Sequence, residues 1–202
     1  MKLKMLSSFA LAVVISTSAQ ASAIFQDSFD TEGTPGASTL NYSSFANWTV
    51  AAGSVDLINS GNYGIDCVGN TGKCVDLDGS TKNAGTLNSS SIALSAGIYS
   101  LMFDISGNQR GPAADDELLV TLSGLIEENF TLSANDPWQS VVRTFTVAED
   151  TTGFISFNHS GKDNIGIVLD NVSVSAVPEP GTLALLGLGL AGLGAARRRQ
   201  KA

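Results

Sequence analysis

Ile98-Tyr99-Ser100-Leu101-Met102-Phe103-Asp104-Ile105-Ser106 decides the fold. Tyr99, Leu101, Phe103 and Ile105 recur at every second position. In an extended chain successive side chains point to opposite faces, so this period buries one face of a strand. The alternation continues outward in Leu118/Val120/Leu122, in Val141/Arg143/Phe145/Val147 and in Ile155/Phe157. Clusters of Gly, Asn, Asp and Ser at 33–38, 59–62, 107–116 and 160–164 separate the runs and mark chain reversals. Between them no segment carries a helical stripe, and no repeat of solenoid or propeller period is present. About eight to ten strands in ~150 residues predict an all-β fold, an antiparallel β-sandwich of jelly-roll form.

Both ends of the chain read differently. Residues 1–23 open with Lys2 and Lys4, run through an apolar stretch from Phe9 to Ile15, and close on Ala21-Ser22-Ala23. That order is an export signal, a helical leader removed on secretion, and its apolar run is too short to span a bilayer. Ala19-Gln20-Ala21 offers a second legal cleavage site. Residues 177–202 begin with Pro178-Glu179-Pro180, continue through an apolar segment over 181–196 and end with Arg197, Arg198, Arg199 and Lys201. Such a segment predicts a short transmembrane helix, suited to transient retention, with its basic end on the cytoplasmic side. The expected division is a leader over 1–23, a β-sandwich over 24–176 and a tail over 177–202.

The tail resembles the PEP-CTERM sorting signal of Gram-negative bacteria in all three parts: the Pro-Glu-Pro motif, the short apolar segment and the Arg-rich end. The resemblance implies an exosortase as partner, which holds and cuts the tail at the inner membrane. It also implies a link to exopolysaccharide, biofilm or floc. Gly187-x-Gly189-x-x-Gly192 matches a dinucleotide-binding fingerprint in letters only, since the chain ends ten residues later and leaves no room for a βαβ unit.

The chain has 202 residues, 43% hydrophobic and 15% charged, and a formal net charge of −8. Six of its 11 Lys and Arg lie in the two ends, so residues 24–176 carry five cations against eighteen acids, a net charge of −13. A domain this acidic repels phosphate, which argues against nucleic acid as a partner. Cys67 and Cys74 flank a six-residue loop and, in an exported chain, are expected to form a disulfide.

Within the domain, Phe25–Glu32, Trp48-Thr49-Val50, Val75–Gly79, Gly97–Asp104, Trp138 and Gly166–Val174 occur in an order that resembles the galactose-binding-like jelly roll of many carbohydrate-binding modules. Asp170 shares its parity with Val168, Val172 and Val174. Without a bulge it points inward, and there it must be hydrogen-bonded, protonated or bound to a cation. The resemblance implies a structural calcium joining Asp170 to Asp30. A strand bulge that turns Asp170 outward, or backbone hydrogen bonds alone, would serve equally well. Asp76 and Asp78 are expected to face outward from inward Val75 and Leu77, and Asp115-Asp116-Glu117 to form a solvated loop.

A glycan site would draw on Trp48, Arg110 and Asp115 around the 107–116 loop, an aromatic platform beside hydrogen-bonding groups. A Ser-His-Asp arrangement would need His159 as its base, and no nucleophile-elbow motif accompanies it; paired carboxylates for glycosidic cleavage could be drawn from the eighteen acids, but no local motif selects two. The resulting expectation is an exported, non-enzymatic envelope or matrix protein, anchored transiently at the inner membrane and then carried to the cell surface or beyond. A calcium-stabilised carbohydrate-binding module is the alternative. An envelope hydrolase and an ice-binding protein complete the field, although Thr144 and Thr146 form a lone pair rather than the regular threonine ranks of an ice-binding face.

Overall fold

The computed structural model describes residues 22–111, 115–161 and 163–178, with positions 187, 189, 190, 192, 193 and 197 of the tail. Thirteen strands are described: β1 (Ala23–Asp27), β2 (Trp48–Ala52), β3 (Asp56–Asn59), β4 (Lys73–Asp76), β5 (Thr86–Ser89), β6 (Ile92–Leu94), β7 (Gly97–Ser106), β8 (Asp116–Leu122), β9 (Ile126–Leu132), β10 (Gln139–Val147), β11 (Thr151–Gly153), β12 (Ile155–Ser160) and β13 (Val168–Ala176). One sheet runs β10-β7-β13-β4-β3, with β1 also paired to β13; the other runs β2-β5-β12-β8-β9. β6 and β11 form a short ladder of their own. All pairings between these strands are antiparallel. The chain crosses from one sheet to the other between β1 and β2, β2 and β3, β4 and β5, β7 and β8, β9 and β10, and β12 and β13, and it passes through the β6/β11 pair between β5 and β7 and between β10 and β12. This is the wrapped course of a jelly roll, as the alternation predicts.

The core lies between the two sheets. Tyr99, Leu101, Phe103 and Ile105 face inward from β7, opposite Leu118, Val120 and Leu122 of β8 and Phe157 of β12. Phe103 meets Phe157 edge-on at 5.3 Å between ring centroids, and Trp48 sits 5.4 Å from Phe25 and 5.8 Å from Phe157. Each such side chain contributes roughly 1.5–3 kcal/mol by leaving water. Arg143 has the inward parity of Val141 and Phe145, but its guanidinium reaches Glu128 instead, with Nε 2.6 Å from Oε2. β10 and β9 each end a sheet, so this pair clasps the two open edges.

β13 carries the bulge that the sequence left open as an alternative. Its register against β7 shifts between Asp170 and Ser173, and Asn171 at the break has φ 49°. Leu169 before the bulge and Val172 and Val174 after it belong to the main core. Val168 and Asp170 are thereby placed on the outer face. They stay buried because a loop covers them: Val168 packs with Ile58, Ile65, Cys67 and Cys74, and Trp138 leans against the cluster. Cys67 and Cys74 form the expected disulfide, with Cα atoms 5.5 Å apart.

The sandwich begins and ends at one place. The Ala176 N–H donates to the Ser22 carbonyl at 3.2 Å, and the Val177 N–H to the Ile98 carbonyl at 2.8 Å. The signal helix, the C-terminal transmembrane helix, and Glu179, Pro180, Arg198 and Arg199 lie outside the described residues. Among the described residues no helix is long and apolar enough to cross a membrane.

Candidate functional site

Asp170 lies beneath the disulfide loop. Its Oδ2 accepts the Val68 N–H at 3.1 Å and its Oδ1 the Asn171 N–H at 2.8 Å. Burial pushes its carboxyl up to about 7; those two donors pull it down, and the neighbouring Asp30 and Asp104 charges push it up further. Asp30 is exposed, and its oxygens are also engaged: Oδ1 accepts the Lys73 N–H at 2.8 Å and Oδ2 the Ser28 hydroxyl at 3.0 Å. The Lys73 ammonium is buried and donates to the Glu32 and Thr34 carbonyls, fastening the loop after β1. Calcium requires six to eight oxygens at about 2.4 Å. Among the described residues no three His, Cys, Asp or Glu side chains converge to hold a metal. The donor set at Asp30 and Asp170 does not fit the ion. Backbone N–H groups satisfy Asp170 without it.

Arg110 is a brace inside the molecule. Its guanidinium pairs with Asp76 and also donates to the Asn164 carbonyl at 2.9 Å. Asp76 Oδ1 accepts the Asp78 and Gly166 N–H groups, both at 3.0 Å. Burial pushes Asp76 up, and Arg110 opposes that shift. Asn108 extends the network, donating to Asp116 Oδ2 at 3.2 Å and accepting the Arg110 N–H at 2.9 Å. Asp76, Asp78 and Asp116 do not face solvent as expected, because the loops over 107–111 and 163–167 fold over them. Burial likewise pushes Asp116 up to about 6. His159, the sole histidine, is buried, and burial holds it down at about 4. Its Nε2 accepts the Ile167 N–H at 3.2 Å, so the imidazole is neutral and that nitrogen is occupied. A Ser-His-Asp triad loses its base here.

The three residues expected to grip a glycan do not assemble. Trp48 is 4% exposed and forms part of the core. Arg110 is committed to Asp76, while Asp115 accepts the Ser133 hydroxyl at 2.7 Å on the surface. Trp48 contributes in another way: its Nε1 donates to Asp27 Oδ2 at 3.0 Å.

That contact supports an open hollow of about 430 Å³ on the outer side of the sheet, beside β1 and β13. Topology makes it. β13 pairs with β4 through Val168 and Leu169 and with β1 from Val172 onward, and the bulge at Asn171 falls between the two partners. Gln26 of β1, Ser173 of β13 and Met102 of β7 occupy one row across three strands. Asn47, Asn171 and Thr31 add to the lining. The sequence does not signal these residues, because ordinary polar side chains on outward strand positions carry no motif.

Residues 176–199 match the family model of the PEP-CTERM protein-sorting motif. No curated protein matches the chain in sequence. Among solved structures, the chain is similar to the CBM22-1 xylan-binding domain of Xyn10C from Paenibacillus barcinonensis, at 10% identity and TM-score 0.48 over 79% of this chain and 97% of that one. It is also similar to TmCBM61 in complex with β-1,4-galactotriose, at 16% identity and TM-score 0.46 over 66% and 90%. A third similarity is to the mosquito-larvicidal Cry4Aa toxin of Bacillus thuringiensis, at 13% identity and TM-score 0.43, covering 65% of this chain. The chain spans only 22% of that toxin's length.

Proposed function

We propose that this chain, whose PEP-CTERM motif marks it for exosortase-dependent sorting, is a non-catalytic protein of the cell envelope or its extracellular matrix. The leader carries it across the inner membrane. The apolar tail retains it there until the exosortase cuts, and the sandwich then acts at the surface or in the matrix, in association with exopolysaccharide. The match over residues 176–199 carries the reading, since the motif, the apolar segment and the Arg-rich end occur together in the required order. A catalytic role finds little support in a histidine that is buried, neutral and occupied. Deleting residues 177–202 tests the reading: the truncated protein should be released or misplaced, whereas unchanged envelope localisation would overturn it.

Polysaccharide binding by the sandwich is the second reading. The open, uncharged part of the lining beside β13 favours it, because neutral hydrogen-bonding groups around an open depression suit sugar hydroxyls.

A further inference from the structure

We infer that the hollow on the outer side of the sheet, beside β1 and β13, is a saccharide subsite for an uncharged sugar ring or short neutral glycan. The inference rests on the polysaccharide-binding reading and gives it a place. Four observations converge on this ligand class.

The first is preorganisation of two amides. Asn47 Nδ2 donates to Asp27 Oδ2 at 3.0 Å, and Asn171 Nδ2 donates to Asp104 Oδ2 at 2.9 Å. Each carboxylate is itself held, Asp27 by the Phe29 N–H at 2.8 Å and Trp48 Nε1 at 3.0 Å, and Asp104 by the Ser140 hydroxyl. An amide whose nitrogen is fixed on an anchored carboxylate cannot flip, so its Oδ1 stands as an oriented acceptor. Neither Oδ1 has a hydrogen-bond partner among the described residues.

The second is the group of uncommitted side chains around them. Gln26, Thr31 and Ser173 make no side-chain hydrogen bond among the described residues, and together they offer donors and acceptors. A sugar hydroxyl both donates and accepts, so it can bridge an asparagine Oδ1 and one of these groups.

The third is an apolar surface in the same row. Met102 is 37% exposed, and its register partner on β10, Val142, is 52% exposed, so a strip of apolar surface leads away from the hollow. The C–H face of a sugar ring packs against such a surface, and methionine adapts to irregular ligand shapes.

The fourth is charge. Among the described residues no lysine or arginine lines the hollow, and Asp27 is among its walls. An anionic sugar would find no cation there and would meet a strongly acidic domain. The volume also falls within the usual range of ligand sites, about 300–1,000 Å³.

The test is titration of the ¹⁵N-labelled full chain with cellohexaose, β-1,4-xylohexaose, β-1,4-galactotriose and an acidic tri-galacturonate, read by NMR on the side-chain amides. The inference expects at least one neutral probe to shift the Asn47, Asn171 and Gln26 amide signals. Gln26→Ala and Thr31→Ala should each weaken that binding by about five-fold, as the loss of one or two ordinary hydrogen bonds would. Both positions are exposed, so the fold should survive, which the backbone spectrum checks directly. A neutral glycan that binds while leaving these signals unmoved overturns the site and spares the polysaccharide reading. Binding of the acidic probe alone also overturns the site. Silence with all four probes overturns the site and the polysaccharide reading together.

Discussion

The Val68 N–H donates to Asp170 Oδ2 at 3.1 Å, although 102 positions of sequence separate the two residues. One hydrogen bond thus ties the disulfide loop to the last strand at the point where that strand bulges. It turns a buried carboxylate, an expensive group to desolvate, into a structural anchor. The arrangement has consequences for stability and for metal dependence.

Burial raises Asp170 to about 7, from the 3.8 of an unperturbed aspartate. Between those values the folded chain binds a proton that the unfolded chain has released, so its stability falls as pH rises through the window. Asp116, raised to about 6, acts with the same sign. His159, lowered to about 4 from 6.5, acts oppositely, because below 6.5 it is the unfolded chain that binds the extra proton. Above pH 6.5 the histidine contribution ends, and Asp170 should remove about 1 kcal/mol between pH 6.5 and 8, alongside Asp76, which burial raises to about 8 and which acts with the same sign. Thermal unfolding should show a falling Tm over that range and a shallower fall in Asp170→Asn. An identical slope in the variant would contradict the assignment.

Calcium should leave the protein unchanged. Both Asp170 oxygens accept N–H groups, and the Lys73 ammonium already fastens the carbonyls of the loop after β1. A ligand that binds only the folded state raises Tm with its concentration. Melting curves in excess EDTA and in millimolar calcium should therefore coincide to within about 1 °C.

Arg110→Ala should be strongly destabilising. It would leave Asp76, which has no solvent exposure, without its cation and would release the Asn164 carbonyl. Breaking a buried pair by removing one partner costs about 3–5 kcal/mol, and the partial exposure of Arg110 places this case near the lower end. Asp115→Ala, on the surface with one hydroxyl partner, should stay within about 0.5 kcal/mol. Urea unfolding of the two variants separates the residues that sequence had grouped as one binding site.

Reduction of Cys67–Cys74 should cost on the order of 2–3 kcal/mol, the loop-closure contribution of a short ring. The effect should extend to β13, because Val68 lies inside that ring. Hydrogen exchange with and without reductant checks it: the Asn171 N–H should lose protection along with the loop.

Strand periodicity carried the architecture because Tyr99, Leu101, Phe103 and Ile105 are buried by a local rule, alternation, that needs no partner to be read. Asp170 escaped that rule. Its phase depends on a single bulge at Asn171, and although asparagine enters the left-handed region more readily than most residues, its presence does not by itself fix a φ of 49°. Asp76 and Asp78 do point away from the main core, and distant loops then bury them, whereas Asp116 shares the inward parity of Leu118 and Val120 at the end of β8, beside His159. Trp48 and Arg110 have the composition of a binding site and the contacts of a scaffold. Asn47, Asn171 and Gln26 gain their significance only when β1 docks beside β13, a pairing between the two ends of the domain.

Sorting through the tail underlies every later step, and the intact mass of the protein recovered from an exosortase-bearing host reads it out. A chain beginning at Ser22 or Ile24 and lacking Arg197–Arg199 is the predicted result, with the Ser22–Ala176 hydrogen bond favouring the earlier start. A mass that still includes the arginine cluster, unchanged when the exosortase is removed from that host, would contradict the account.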